Sequence, residues 1–185
     1  MKQKNSITYA DDNTESIPLL LKIRLPSLVI GLGMGILISF ATSRFEEVLL
    51  HNVKVAFFLP FVIYMADAIG TQTQSIYSRN LKSGKAKFHI YLIKESWLGF
   101  VFGIAFGIIS GLVTQLWLGD NLLALSVGLS MFTAIVFAPI VALLITKIVQ
   151  SLREDPAAGA GPIATVIQDM LSVLIYGAIS SIIFL

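Results

Sequence analysis

Two aspartates stand inside long apolar stretches of this chain, where a charged side chain is costly. Asp67 lies within the stretch 55–77, and Asp169 lies within the stretch 163–185. A carboxylate at the middle of a membrane span costs about 2.5–3.5 kcal/mol on insertion scales, so its presence needs a partner or a function. Both residues are therefore candidates for holding a cation inside a membrane.

Each acid belongs to a stripe of polar side chains at helical spacing, which places the members of a stripe on one helix face. The first stripe is Asp67, Thr71, Gln74 and Ser78, with Gln72 and Thr73 beside it. The second stripe is Thr165, Asp169, Ser172, Tyr176 and Ser180. Carboxylate, amide and hydroxyl oxygens suit hard cations such as Mg²⁺, Ca²⁺ or Mn²⁺. The stripes indicate a hydrated cation path, and hydrogen bonding between helices is the alternative for the hydroxyls.

The sequence lacks the residue sets that other kinds of chemistry require. The chain has no cysteine, and its two histidines, His51 and His89, are far apart in sequence. It has no HExxH motif, phosphate-binding loop or Ser–His–Asp set, so we expect a protein that is not an enzyme. A membrane enzyme that binds Mg²⁺ through an aspartate pair at the lipid head groups is the alternative, but both aspartates lie well within their spans. A formal net charge of +2 is too small to indicate nucleic-acid binding.

Positioning the two acids requires helices that cross a bilayer. Of the 185 residues, 56% are apolar and 13% charged, whereas soluble domains carry about 25% charged residues. A run of about 20 apolar residues crosses the hydrocarbon core as a helix. We predict an all-α integral membrane protein, with a cytoplasmic tail at 1–24 and one membrane domain at 25–185. Its five spans are at about 25–42, 55–77, 98–118, 122–145 and 163–185.

The basic residues are distributed unevenly about these spans. Five spans put successive loops on alternate sides of the membrane. Eleven of the thirteen Lys and Arg residues then lie on one side, and only Arg44 and Lys54 lie on the other. Because cytoplasmic loops are enriched in basic residues, we predict a cytoplasmic N-terminus and a C-terminus outside the cell.

Glycines and prolines mark close packing and breaks. Gly99, Gly103, Gly107 and Gly111 recur every four residues in the third span, a spacing that lets helices approach closely within one chain or between chains. We expect Pro60, Gly70 and Pro139 to interrupt their spans, and 155–162 to be too broken for a plain helix.

The order of several short segments resembles the membrane domain of MgtE-type magnesium transporters over residues 25–185. The segments are Pro60, Gly70-Thr71-Gln72, Arg79 with Leu81, Lys94-Glu95, Asp155-Pro156-Ala157, Pro162 and Asp169. The resemblance implies a symmetric homodimer of five-helix domains, with a pore on the dimer axis lined by the second and fifth helices. It also implies that Asp169 holds a hydrated Mg²⁺ at the centre and that Asp155 lies near the cytoplasmic mouth.

Two features depart from the family pattern. Many members carry a Gly-Asn pair before the Gly-Thr-Gln segment, where this chain reads Ala66-Asp67-Ala68-Ile69. Typical members also carry cytoplasmic regulatory domains, including paired CBS domains, ahead of the first span. We expect no such domain within this sequence, so the pore is not gated by that route, or is regulated by a separate cytoplasmic protein, or the sequence is a piece of a longer chain.

Together these observations predict transport of a divalent cation, Mg²⁺ first and Mn²⁺ or Ca²⁺ as alternatives, across the cell membrane. The alternatives are a membrane subunit that conducts only with a regulatory partner, and an interaction subunit that assembles with a larger protein. The predicted ion-site residues are Asp169, Asp67, Asp155, Thr71, Gln74 and Thr165. Further candidates are Glu95, Ala157, Ser172 and Tyr176.

Overall fold

The structure, a computed structural model, describes residues 13–84, 86–151 and 161–185. These residues form six α-helices and, within these three ranges, no strand. The helices are α1 (Ile17–Ser43), α2 (Glu46–His51), α3 (Lys54–Lys82), α4 (Phe88–Leu118), α5 (Asn121–Ser151) and α6 (Gly161–Phe184).

Five of these helices are long and apolar enough to cross a membrane, and the short α2 is the exception. They coincide with the five predicted spans, so the prediction of an all-α chain with five helices able to span a membrane is confirmed for the described residues. The helices extend further than the predicted spans: α1 begins at Ile17 rather than at residue 25, and α4 begins at Phe88 rather than at residue 98. A helix of 31 residues is about 46 Å long, which exceeds the hydrocarbon thickness of about 30 Å. Charged residues near its ends can therefore still reach the membrane surface.

Helix α5 lies at the centre of the bundle. It packs against α3, α4 and α6, while α3 also packs against α6 and α1 packs against α6. Its buried side chains form the middle of the core, for example Leu123, Val127, Met131 and Ile135. Because α3 and α6 contact both α5 and each other, α5 holds together the two helices that carry the polar stripes.

The glycines of α4 allow its backbone to lie directly against α5. A Cβ atom built on Gly107 would lie 2.8 Å from the carbonyl oxygen of Gly128, and one on Gly103 would lie 2.9 Å from that of Phe132. Contacts this short leave no room for a side chain. The four-residue glycine spacing therefore serves packing within one chain, between the two arms of the α4–α5 hairpin.

The turn of this hairpin follows from its residues. Gly119 ends α4 with φ +64°, in the left-handed region where glycine is not strained. The next residue, Asp120, accepts a hydrogen bond from the backbone N–H of Leu123 at 3.0 Å and so caps the first turn of α5. Asp120 also accepts a hydrogen bond from the side-chain amide of Asn52 at 3.3 Å, which links this turn to the α2–α3 turn.

The expectation that Pro60, Gly70 and Pro139 interrupt their spans is wrong. Both α3 and α5 run through these residues as continuous helices. A proline removes one N–H donor, and neighbouring helices can cover the carbonyl that is left without a bond. At Pro139 this carbonyl belongs to Ile135, and the small Gly99 of α4 lies against it, with 3.2 Å from the oxygen to a Cβ built on the glycine.

Candidate functional site

Helices α3 and α6 bring most of the predicted ion-site residues together. A narrow crevice, here called the polar crevice, is lined by Asp67, Gly70, Thr71 and Gln74 of α3 and by Thr165 and Gln168 of α6. Two small residues, Ala142 of α5 and Ala164 of α6, complete its wall. The side chains predicted from two separate stripes therefore share one site.

Asp169 lies beside this crevice rather than in its wall. Asp169 is partly exposed, and it directly follows the lining residue Gln168 in α6. No cluster of three or more His, Asp or Glu residues exists in the described part of the chain. One chain thus provides two carboxylates and several neutral oxygens, which can hold a hydrated ion but not surround a bare one.

The polar crevice is continuous with a wider cavity of about 540 Å³. The two spaces share Thr71, Gln74 and Thr165, and the cavity adds Ser75, Ser78, Arg79 and Gly161 to its lining. Most of the described residues that line it are polar, although their apolar atoms form most of its surface, and Arg79 is the charged residue among them. A hydrated ion fits in this cavity, whereas the narrower crevice next to it leaves no room for a water molecule.

Gln168 is a lining residue that the sequence analysis missed. It is 2% exposed, and its side-chain nitrogen Nε2 has no hydrogen-bond partner among residues 13–84, 86–151 and 161–185. A buried polar group left without a partner costs about 1–3 kcal/mol. The sequence signal that could have found it is an amide directly before Asp169 within an apolar span.

Ser172 and Tyr176 turn away from the polar crevice. The Ser172 hydroxyl donates to the backbone carbonyl of Gln168 in its own helix at 2.9 Å. The buried Tyr176 hydroxyl donates to the backbone carbonyl of Val55 at the start of α3 at 2.7 Å. Ser180 and Ser126 of α5 bond each other through their hydroxyls at 2.8 Å. The Tyr176 and Ser180 contacts join helices, as the alternative interpretation of the hydroxyls predicted, whereas the Ser172 bond stays within α6.

Glu95 lies on α4 and contacts a different side of α3. Its carboxylate accepts a hydrogen bond from the hydroxyl of Thr73 at 2.7 Å, and Thr73 is only 2% exposed. Thr73 is two residues from Thr71, or about 200° around the helix, so Glu95 does not share the stripe of Asp67. Asp155 and Ala157 lie outside the described residues, and their part in the site stays a prediction.

Five apolar helices, with a crevice of carboxylate, hydroxyl and amide groups between two of them, define a multi-pass membrane protein with the ligand chemistry of a cation transporter. Residues 59–179 match the family model MgtE, described as a divalent cation transporter. The chain belongs to this family, whose members are transporters and not enzymes. The family resemblance found in the sequence is thereby confirmed.

Three relatives carry the name Magnesium transporter MgtE. The proteins of Bacillus subtilis and Enterococcus faecalis are each 30% identical over 161 residues, which is 85% of this chain and 36% of the relative. The Thermus thermophilus protein is 27% identical over 153 residues, which is 80% of this chain and 34% of the relative. The chain thus spans about a third of the length of the relatives it matches.

Proposed function

We propose that this chain transports Mg²⁺ across the cell membrane through a channel-like pore lined by α3 and α6. The observation that carries the proposal is that residues of the two stripes line the polar crevice together, next to a cavity large enough for a hydrated ion. Membership of the divalent cation transporter family supports it. The naming of three relatives as magnesium transporters favours Mg²⁺ over Mn²⁺ or Ca²⁺ as the transported ion.

Asp169 is the central ion site in this proposal. In a symmetric homodimer with the pore on its axis, two Asp169 carboxylates face one hydrated ion. Their charge replaces the solvation that the ion loses inside the membrane, and the ion keeps most of its water, as Mg²⁺ prefers. Asp67, Thr71, Gln74 and Thr165 contact the ion or its waters further along the same path.

The electrical driving force is sufficient without a coupled ion. With the N-terminus in the cytoplasm, the wide cavity beside Arg79 opens toward the cytoplasm. A membrane potential that is negative inside contributes about 2.3 kcal/mol per charge per 100 mV, so it contributes about twice that for a divalent cation. The proposed direction of flow is therefore inward, down this potential.

The test is Mg²⁺ uptake into liposomes that contain the purified chain and a Mg²⁺-sensitive dye, with an inside-negative potassium diffusion potential. We expect Asp169→Asn to lower the initial rate at least tenfold while keeping the elution profile and helicity of the wild type. Glu47→Gln, which removes an exposed carboxylate on α2, is the matched control and should stay within twofold of the wild type. Wild-type rates in Asp169→Asn would overturn the central role of this residue.

A second outcome separates the alternatives. A wild-type chain that is folded and dimeric in the liposomes but takes up no Mg²⁺ would overturn a self-sufficient pore. It would favour a membrane subunit that conducts only together with a cytoplasmic regulatory protein.

A further inference from the structure

The wide cavity beside the polar crevice carries a positive charge, which is unexpected next to a cation path. Arg79 is the charged residue among the described residues that line the cavity, and no acidic residue is among them. Asp67, the acid of α3, is twelve positions away, which is about 18 Å along the helix. No carboxylate of the described cavity wall therefore balances the charge of the guanidinium.

A second feature of the cavity has the same sign. Gly161 lines the cavity and is the first residue of α6. The N-terminus of a helix carries a partial positive charge, because its first N–H groups have no partner within the helix. The cavity therefore combines a full and a partial positive charge, whereas the crevice next to it is lined by Asp67.

We propose that Arg79 keeps the concentration of divalent cations in the cavity low, so that it favours release of the transported ion into the cavity and opposes entry from there. This role rests on the proposed transport of Mg²⁺ along α3 and α6. A fixed charge repels a divalent cation twice as strongly as a monovalent one. The driving force still sets the net direction of flow, and Arg79 makes the path conduct better toward the cavity than from it.

The size of the effect follows from the size of the cavity. A sphere with the cavity volume of about 540 Å³ has a radius of about 5 Å, so an ion at its centre is about 6 Å from a charge on the wall. In water-like surroundings a unit charge at this distance lowers the occupancy by a divalent cation about tenfold, and by a monovalent cation about threefold. Dissolved salt screens the repulsion over about 8 Å at 0.15 M and about 3 Å at 1 M. The effect should therefore be strong in dilute buffer and nearly lost at 1 M salt.

A structural role for Arg79 is the alternative. The residue lies close to the C-terminus of α3, which ends at Lys82, and a basic side chain there interacts favourably with the last carbonyls of the helix. Such a role predicts lower stability in Arg79→Gln and no change in the electric potential of the cavity. A measurement of that potential separates the two roles.

The potential can be measured with a cysteine introduced into the cavity wall. The chain has no cysteine, and Ser75 is an exposed lining residue four positions from Arg79, on the same face of α3. In Ser75→Cys, the reaction rates of a sulfonate-bearing and a trimethylammonium-bearing methanethiosulfonate are compared, each relative to its rate with mercaptoethanol. We expect Arg79→Gln to lower the ratio of the anionic to the cationic rate at least fourfold at about 10 mM salt, and less than twofold at about 1 M salt.

Two further variants control for charge and position. Arg79→Lys keeps the charge, and its ratio should stay within twofold of that of the chain with Arg79. Lys94→Gln removes an exposed basic residue of α4 that does not line the cavity, and the ratio should again be unchanged. An unchanged ratio in Arg79→Gln, or an equal fall in Lys94→Gln, would overturn the proposal. If Arg79→Gln does not fold, the salt dependence of the ratio in Ser75→Cys decides alone, since a purely structural role predicts none.

Transport provides the second readout. In planar bilayers, Mg²⁺ currents are recorded in both directions in the Ser75→Cys background, and the chamber from which the sulfonate reagent alters the current is the one that the cavity faces. At low salt, we expect Arg79→Gln to raise the current that enters from the cavity side at least threefold and not to raise the current in the other direction. Equal increases in both directions, or no increase in either, would overturn the role of Arg79.

The two proposals fail in different ways. Current that needs Asp169, together with a thiol ratio that is unchanged in Arg79→Gln, would overturn only the role of Arg79. A folded wild-type chain that carries no Mg²⁺ current would overturn the transport function and the role of Arg79 with it, whatever the thiol ratio.

Discussion

Replacing Gly107 by alanine should weaken the α4–α5 contact that supports the site. The new Cβ would lie 2.8 Å from the carbonyl oxygen of Gly128 and 3.1 Å from the Cβ of Phe132. An ordinary van der Waals contact needs about 3.4–4 Å, so the shortfall at the oxygen is about 0.6 Å. This oxygen belongs to the backbone and cannot rotate away, so the two helices must move apart.

The expected change in the free energy of unfolding follows from these distances. Overpacking a tightly packed interior costs about 1–3 kcal/mol, and alanine recovers up to about 1 kcal/mol of helix propensity over glycine. We therefore expect Gly107→Ala to lower the free energy of unfolding by up to about 2 kcal/mol after this gain, and to be about 1–3 kcal/mol less stable than a variant that has the propensity gain alone. Gly33→Ala is the control, because nothing lies within 4 Å of a Cβ built there. Gly111→Ala, whose Cβ would lie 3.1 Å from the Ala124 carbonyl oxygen, should fall between them.

The assay is reversible unfolding in mixed micelles with increasing dodecyl sulfate, followed by tryptophan fluorescence. Both tryptophans of the chain, Trp97 and Trp117, lie on α4. Trp117 also packs edge-on against Phe58 of α3, with ring centroids 5.8 Å apart, so the signal reports on the position of α4. A free energy of unfolding for Gly107→Ala equal to that of Gly33→Ala would refute the reasoning that the glycines set the distance between these helices.

Two further predictions concern the carboxylates. Asp67→Asn should keep Mg²⁺ uptake but change the relative uptake rates of Mg²⁺, Mn²⁺ and Ca²⁺, because it removes a charge from the crevice wall and keeps an oxygen ligand; an unchanged profile in the liposome assay would assign Asp67 a structural role. Thr73→Val should lower the free energy of unfolding by about 1–3 kcal/mol, because it leaves the Glu95 carboxylate without its threonine donor. Thr73→Ser, which keeps the hydroxyl, should behave as the wild type, and equal losses in both variants would contradict this explanation.

The helices could be predicted because their signals are local. Long apolar stretches identify spans, and helical spacing identifies which polar residues share a face with Asp67 or Asp169. The chemistry of the two stripes indicated a shared cation path, but only the family resemblance implied that α3 and α6 line it together, since no local pattern says which helices are neighbours. The sequence also could not tell which helix packs against the glycines of α4. Their spacing is equally suited to packing within one chain and between chains.

Residues on one face of α6 contact different neighbours along the helix. Helical spacing assigns Thr165, Asp169, Ser172 and Tyr176 to one face, but a helix that crosses its neighbours at an angle presents that face to different partners at different heights. Thr165 lines the crevice, whereas Tyr176 reaches the backbone of Val55. Gln168 is one position from Asp169, about 100° around the helix, and it lines the crevice beside Gly70 of α3, although it belongs to neither stripe.

The spacing beside the polar crevice depends on two small residues. Gly70 of α3 and Ala142 of α5 lie where these helices face each other, and the Cβ of Ala142 is 3.8 Å from a Cβ built on Gly70. A side chain larger than alanine at either position would enter the space between α3, α5 and α6. In the proposed function the polar stripes are therefore only half of the site, because the polar residues of α3 and α6 share one crevice only while α3 and α5 keep small residues beside it.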